Sequence, residues 1–264
     1  MDLQLNNRRA LITGSTSGIG YAIAQGLAAE GAHVTINGRT QASVDAALAR
    51  LSKSIPGVQA EGVAADCGTA AGTQVVFDRV PDIDILVNNL GIYERKAFFD
   101  IADADWMHVF EVNVLSGIRF SRRYAPAMVK RGWGRVLFIS SESALNIPKE
   151  MLHYGLSKTA QLSVSRGLAM ELAGTGVTVN AVLPGPTRTE NTEKLRAQRA
   201  QAAGITVAEL EKDFFISFRP TSLLKRFTSA QEVANLVVFL CSPLASATTG
   251  AALRADGGVV NQIM

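Results

Sequence analysis

The sequence predicts a single α/β domain, with a doubly wound parallel sheet and helices on both faces. Short apolar runs rich in β-branched residues alternate with longer segments of helical periodicity. This rhythm implies parallel strands joined by right-handed crossovers. A glycine-rich turn follows the first strand, and neither a repeat nor a low-complexity linker divides the 264 residues. We therefore expect one domain over residues 1–264.

The individual elements follow from local pattern. Strands are expected at 9–13, 33–37, 83–87, 135–139 and 177–182, because these runs suit burial on both faces. A first helix begins after the glycine-rich turn, where Ile19, Ile23 and Leu27 form one apolar stripe. Further helices are expected at 43–53, 103–130 and 154–173, and a Ser229/Glu232 capping box opens one over 233–241.

One segment breaks this rhythm. Residues 186–228 are charged and weakly periodic, with Phe214, Phe215 and Phe218 clustered among them. A long excursion from a compact sheet is typical of a functional loop, so we expect a helical substrate lid after the sixth strand. The alternative is a partly disordered surface insertion. The phenylalanines and Met151 could line an apolar pocket or pack the segment against the sheet.

Composition excludes several classes of protein. A content of 47% hydrophobic and 19% charged residues is that of a folded chain, and 26 basic against 23 acidic residues give only +3. The scattered basic residues predict no nucleic-acid partner. Two cysteines and three histidines at no ligand spacing predict no metal site. The polar N-terminus and the absence of a run of about 18 apolar residues predict no signal peptide and no membrane span, hence a cytoplasmic protein.

The glycine-rich turn occupies residues 13–20. Gly14, Gly18 and Gly20 stand between the first strand and the first helix, with spacing Gly-x3-Gly-x-Gly. Glycines there let the backbone approach a pyrophosphate while the helix N-terminus faces the anion. Close packing alone could also explain them.

A tyrosine and a lysine are the candidate reactive groups. Tyr154 and Lys158 are four residues apart, so they share one helix face, and by themselves they are equally typical of an exposed helical pair. A nearby ammonium stabilises phenolate and should bring the pKa of Tyr154 towards the working pH. Ser141 follows the strand expected at 135–139. A hydroxyl at the carboxyl end of a strand can donate to a carbonyl oxygen. Glu142 beside it is interpreted as a solvated loop carboxylate, and Arg196 and its neighbours as a solvated mixed face.

Together these motifs resemble the short-chain dehydrogenase/reductase family. The turn matches the family's Thr-Gly-x3-Gly-x-Gly at every fixed position. Asn88, Asn89, Leu90 and Gly91 stand where the family usually has Asn-Asn-Ala-Gly, with Leu90 a bulkier departure. The Pro-Gly-x3-Thr motif at 184–189 and the Asp-Gly-Gly turn at 256–258 follow in order. The resemblance covers residues 8–260 and implies a Rossmann-type fold.

The resemblance also implies site residues. Asn113, Ser141, Tyr154 and Lys158 would form the catalytic tetrad, with Tyr154 as general acid/base and Asn113 holding a water that relays protons through Lys158. A nicotinamide cofactor would contact Gly14, Ser15, Ser17, Gly18, Ile19, Gly20, Arg39, Asp66, Cys67, Asn89, Gly91, Tyr154, Lys158, Pro184, Gly185, Thr187 and Thr189.

The end of the second strand decides between the two nicotinamide cofactors. Gly38 stands where NAD-preferring members carry Asp, and Arg39 follows it. A guanidinium matches the geometry of the 2′-phosphate, so NADP(H) is expected, with NAD(H) as the alternative if Arg39 only stacks on adenine.

The expected activity is hydride transfer between NADP(H) and a carbonyl or secondary alcohol. Within the family a 3-oxoacyl thioester reductase and a dehydrogenase of sugars, polyols or cyclic alcohols both stay open. A non-catalytic NADP-binding regulator is the alternative of a different class. By resemblance, the helices at 103–130 and 154–173 would assemble the chain into a homotetramer or homodimer.

Overall fold

A seven-stranded parallel sheet forms the centre of the protein in the computed structural model, which describes residues 1–263. Its strands have the order β3-β2-β1-β4-β5-β6-β9, and β7 pairs with β8 in a separate two-stranded sheet. The strands are β1 Arg9–Ile12, β2 His33–Gly38, β3 Ala60–Ala64, β4 Ile85–Asn88, β5 Gly134–Ile139, β6 Val177–Pro184, β7 Thr187–Arg188, β8 Thr228–Ser229 and β9 Ala252–Ala255. The predicted fold class is confirmed.

Helices cover both faces of this sheet. They are α1 Gly18–Ala29, α2 Gln41–Ser54, α3 Ala70–Arg79, α4 Asp103–Phe110, α5 Ser116–Arg131, α6 Leu152–Glu171, α7 Glu190–Ala203, α8 Val207–Asp213 and α9 Ala230–Cys241. One buried apolar cluster joins the sheet to α1, α2 and α9, and a second joins it to α3, α5 and α6. None of the described helices is both long and apolar enough to cross a bilayer.

The helix predicted at 103–130 is not continuous. Between α4 and α5 the chain widens into a π-helical turn over Glu111–Leu115, where the Ser116 N–H donates to the Glu111 carbonyl. Asn113 lies inside this turn and is buried. Such interruptions are frequent at functional sites, and here the turn brings Asn113 to the carboxyl edge of the sheet.

The segment 186–228 is ordered by its own helices and by ion pairs. It contains α7, α8 and a second π-helical turn over Phe214–Phe218. Arg196 is 7% exposed, pairs with Glu211 at 2.6 Å and lies over the Phe227 ring at 4.3 Å. The prediction of a solvated face is therefore wrong for Arg196, because the folded segment buries this guanidinium against a carboxylate and a ring.

Candidate active site

The strand order reverses between β1 and β4, and the glycine-rich turn lies at this topological switch point. β1 pairs with β2 on one side and with β4 on the other, so the chain winds outward in both directions. The Asn89 amide, just after β4, donates to the carbonyls of Thr13 and Gly14, both at 3.0 Å. These two hydrogen bonds hold the turn beside the carboxyl ends of the strands, where ligands bind in open α/β sheets.

Close approach of backbone explains the glycines of this turn. Gly14 and Gly18 have φ of +61° and +59°, a conformation that favours glycine. A Cβ on Gly20 would lie 2.4 Å from Asn89 Nδ2 and 2.6 Å from the Gly14 carbonyl oxygen. Ser17 is the N-cap residue of α1, but its side chain accepts no hydrogen bond from the N–H groups of the first helical turn.

A cavity of about 350 Å³ opens against the turn. Its floor is completed by the loop after β6, where a Cβ on Gly185 would lie 2.4 Å from the Asp256 carbonyl oxygen. The predicted site residues in its wall are Gly14, Ser17, Ile19, Gly20, Asn89, Gly91, Ser141, Tyr154, Lys158, Pro184, Gly185, Thr187 and Thr189. An open glycine turn at a helix N-terminus fits the pyrophosphate of a dinucleotide.

Other predicted contacts lie outside this cavity wall. Ser15 is buried and donates to the Ile12 carbonyl at 2.7 Å, so its hydroxyl supports the turn from beneath. The Gly18 N–H donates to the Glu190 carboxylate at 2.9 Å. Arg39 and Asp66 are exposed at the ends of β2 and β3. The Cys67 thiol is buried in an apolar cluster of the core, and burial raises its pKa to about 12.

Tyr154, Ser141 and Lys158 meet in the cavity wall. The Lys158 Nζ lies 5.7 Å from the centre of the Tyr154 ring. Burial raises the pKa of Tyr154 to about 12, and a hydrogen bond from Ser141 offsets part of that rise. Burial also lowers the pKa of Lys158 to about 7. The prediction that the pKa of Tyr154 moves towards the working pH is wrong here, because burial disfavours the phenolate and also disfavours the ammonium that would stabilise it.

Asn113 supports the site from behind. Its side-chain oxygen accepts from the Ile92 N–H at 2.8 Å, and its amide donates to the Ile92 carbonyl and to Ser157 Oγ, both at 2.9 Å. The loop after β4 is thereby tied to the helix that carries Tyr154 and Lys158. The predicted water relay through Asn113 stays a prediction.

Glu142 is a site residue that the sequence reasoning misinterpreted. It is 4% exposed rather than solvated, and Arg219 from the 186–228 segment donates to its Oε1 at 2.6 and 2.8 Å. Burial raises the pKa of Glu142 even against this guanidinium. The carboxylate next to Ser141 thus fastens the 186–228 segment to the site. The sequence carried no signal for it, since the two residues are 77 positions apart.

A second cavity of about 590 Å³ adjoins the first, with Tyr93 and Thr192 in both walls. Phe214, Phe218 and Phe227 line it together with Met151. Phe215 is instead buried and packs edge-on against Phe214 and Phe227. Both predicted uses of the phenylalanines are therefore present: some line a pocket and one packs the segment. Within residues 1–263 no cluster of His, Cys, Asp or Glu could hold a metal ion.

A glycine turn at the switch point of a doubly wound sheet, with a Tyr–Lys pair facing it, defines an oxidoreductase of the dinucleotide-binding class. A family model described as enoyl-(acyl carrier protein) reductase matches residues 14–260. An uncharacterized oxidoreductase of Bacillus subtilis (strain 168), YvaG, is 48% identical over 263 residues, covering 100% of both chains. The 3-oxoacyl-[acyl-carrier-protein] reductase of Aquifex aeolicus (strain VF5) is 34% identical, covering 98% of this chain and 100% of the relative.

Solved structures agree with these relatives. The L-sorbose reductase of Gluconobacter frateurii, complexed with NADPH and L-sorbose, superposes with a TM-score of 0.93 at 31% identity and covers 100% of both chains. The chain belongs to the short-chain dehydrogenase/reductase family, whose members are oxidoreductases that use NAD(P).

Proposed function

We propose that this enzyme reduces a carbonyl compound with NADPH, using Tyr154 as the proton donor. The observation that carries the proposal is the meeting of Tyr154, Ser141 and Lys158 in the wall of the cavity that the glycine turn opens. NADP(H) supplies the hydride when it is bound. The turn, the loop after β6 and Lys158 would hold the cofactor, and the second cavity would hold the body of the substrate.

Tyr154 carries the proton that carbonyl reduction requires. With its pKa raised to about 12, the phenol carries its proton at neutral pH. That is the form needed to donate a proton to a carbonyl oxygen as negative charge develops on it. Ser141, beside the phenol, would donate a second hydrogen bond to the same oxygen. In the reverse direction the same oxygen would accept the proton of the alcohol.

Lys158 contributes a donor to the cavity. An ammonium has three N–H donors, and two of them are taken by the Ile139 carbonyl at 2.9 Å and Gln161 Oε1 at 3.3 Å. A Cβ at Gly91 would lie 3.3 Å from Nζ, so glycine keeps this face of the lysine open. We propose that the third donor holds the cofactor's ribose.

The 186–228 segment is proposed as the substrate lid. Phe214, Phe218 and Phe227 would cover a moderately apolar substrate. A 3-oxoacyl thioester and a sugar, polyol or cyclic alcohol all stay candidates. One relative is named for a 3-oxoacyl thioester, and one structural neighbour is named for the sugar L-sorbose. A non-catalytic regulator would have no need of Asn113, Ser141, Tyr154 and Lys158 together.

The direct test follows NADPH oxidation by absorbance across acyl thioesters, keto sugars, cyclic ketones and aromatic aldehydes. Turnover with one class would establish the reaction and name the substrate class. Tight NADPH binding without turnover of any compound in the panel would contradict the proposed carbonyl reduction and return the regulator to consideration.

Arg39 carries the proposed preference for NADP(H). It is exposed at the end of β2, and within the described residues it forms no ion pair. A Cβ on Gly38 would lie 2.4 Å from Thr16 Cγ2, so an acidic side chain at that position would have to displace the Thr16 side chain. Arg39→Asp is expected to raise the NADPH dissociation constant by on the order of a hundredfold and that of NADH only slightly.

The measurement is a fluorescence titration of both cofactors with the variant and with Arg79→Asp. Arg79 is the last residue of α3 and precedes β4, so it lies towards the amino ends of the strands, whereas Arg39 follows the carboxyl end of β2. Its replacement changes the net charge equally, away from the site. Equal weakening of NADPH and NADH by Arg39→Asp would overturn the phosphate contact and leave a stacking role.

Assembly and location stay predictions. Met107, Leu156 and Met170 are exposed apolar side chains on α4 and α6, two of the helices expected to form the interface. Their exposure supports assembly into a homotetramer or homodimer.

A further inference from the structure

Gln161 is a buried polar residue on the same helix face as Lys158. It is 2% exposed and lies three positions further along α6, close enough for the two side chains to meet. A buried carboxamide is costly unless its donor and acceptor both find partners. The partners of Gln161 therefore indicate what the residue does in this fold.

Both ends of the Gln161 side chain are engaged. Its Oε1 accepts from Lys158 Nζ at 3.3 Å, and its Nε2 donates to the Asn113 main-chain carbonyl at 2.5 Å. The neighbours fix the orientation of the amide, because an ammonium can only donate and a carbonyl can only accept. Gln161 thus joins the lysine to the π-helical turn that interrupts the helix at Asn113.

We propose that Gln161 is a positioning residue that holds the Lys158 ammonium against the Asn113 main chain and sets its protonation. The inference rests on the proposed function only where it assigns Lys158 a role in the reaction. The Gln161 carboxamide lies between Lys158 Nζ and the Asn113 main-chain carbonyl and is hydrogen-bonded to both. Because an amide oxygen stabilises a charged donor, Gln161 favours the ammonium form against the burial that opposes it.

Few groups around Lys158 can accept a hydrogen bond from its buried ammonium and so stabilise its charge. Burial is the cause of the lowered pKa of Lys158, and the Ile139 carbonyl is its other acceptor. The elements packed around α6 carry other titratable or charged groups. They are Tyr154 and His153 on α6 itself, Tyr93 in the loop after β4, Glu142 with Arg219 beyond β5, Glu111 on the π-helical turn and Asp105 on α4. Of these side chains, none is hydrogen-bonded to Lys158 Nζ.

The test titrates Lys158 itself. Protein carrying lysine labelled with ¹³C at the ε carbon is followed by NMR against pH, and the Lys158 signal is assigned by its loss in Lys158→Met. Gln161→Met keeps the length of the side chain and removes both hydrogen bonds. It is expected to lower the pKa of Lys158 by about one unit or more. Gln161→Glu keeps an acceptor and adds a charge, so it is expected to raise that pKa above the wild-type value.

Ser165→Ala is the matched control. Ser165 is buried one turn further along α6, and within the described residues its hydroxyl has no hydrogen-bond partner. Its removal is expected to leave the Lys158 titration unchanged. An unchanged pKa of Lys158 in Gln161→Met would overturn the proposal, whether or not turnover is lost in that variant.

The titration needs no substrate, so it separates this inference from the proposed reaction. If the wild-type enzyme reduced no carbonyl compound while Gln161→Met still lowered the Lys158 pKa, the reaction would fail and the positioning role would stand. If turnover is present, its pH profile in Gln161→Met should shift in the same direction as the titration. A profile that stays in place while the titration moves would contradict the use of Lys158 in the reaction.

Discussion

Tyr154→Phe is expected to lower the turnover of carbonyl reduction on the order of a thousandfold while NADPH still binds. The substitution removes the phenol proton and keeps the ring that packs edge-on against Tyr93, with centroids 5.9 Å apart. Ser141 would still polarise the substrate oxygen, so a residual rate should persist. The measurement is steady-state NADPH oxidation, with a separate binding titration for NADPH.

Tyr21→Phe is the control for this substitution. Tyr21 lies on α1 with its ring under the Arg50 guanidinium at 4.1 Å, and it is absent from the cavity wall. The same loss of a hydroxyl is expected to leave turnover near the wild-type value. Turnover of Tyr154→Phe within a few-fold of wild type would remove Tyr154 from the proton transfer and point to another acid.

The central strands could be predicted because they are buried on both faces. β4, β5 and β6 are buried along their whole length and appear in the sequence as mainly apolar runs, interrupted by Arg135 in β5 and by Thr178 and Asn180 in β6. β3 and β9 are the two edges of the sheet, and their mixed burial leaves only a weak pattern. The sequence pattern therefore predicts neither β3 nor β9 with defined bounds.

The candidate site was predictable where its residues lie on short local motifs. The glycine turn and the Tyr154/Lys158 pair each depend on spacings of a few positions, and the fold then carries them to one edge of the sheet. Gln161 and Glu142 were not identified, because their roles come from partners far along the chain. A buried polar residue cannot be told from an exposed one when its partner lies 48 or 77 positions away.

The π-helical turn illustrates the same limit. A pattern of helical periodicity over 103–130 carries no mark of one widened turn, since the apolar stripe continues on both sides. Yet that turn carries both the Asn113 side chain bound to Ile92 and the Asn113 carbonyl bound to Gln161. The local irregularity is therefore stabilised by tertiary contacts.

Arg219→Ala is expected to lower the free energy of unfolding by about 3–5 kcal/mol, because it leaves the buried Glu142 carboxylate without its partner. The two side chains are 15% and 5% exposed, so water cannot readily replace the guanidinium. The same change should loosen the 186–228 segment beside Ser141. Thermal unfolding monitored by circular dichroism measures the first effect, and limited proteolysis within 186–228 measures the second.

The loss should depend on pH in a defined direction. Burial raises the pKa of Glu142 above its ordinary value of 4.5 even with Arg219 present, and removing Arg219 should raise it further. The folded state then binds a proton more tightly than the unfolded state, so stability falls as pH rises from the ordinary carboxyl pKa through the folded pKa. We expect the deficit of Arg219→Ala to be smaller near pH 5 than near pH 8.

Two variants separate the buried charge from other causes. Arg226 pairs with Glu232 on the surface, where the side chains are 48% and 44% exposed, and Arg226→Ala is expected to leave the unfolding temperature nearly unchanged. Adding Glu142→Gln to Arg219→Ala removes the uncompensated charge and should restore much of the lost stability. If the double variant unfolds as easily as Arg219→Ala alone, the destabilisation comes from lost packing of the arginine and not from the carboxylate left beside Ser141.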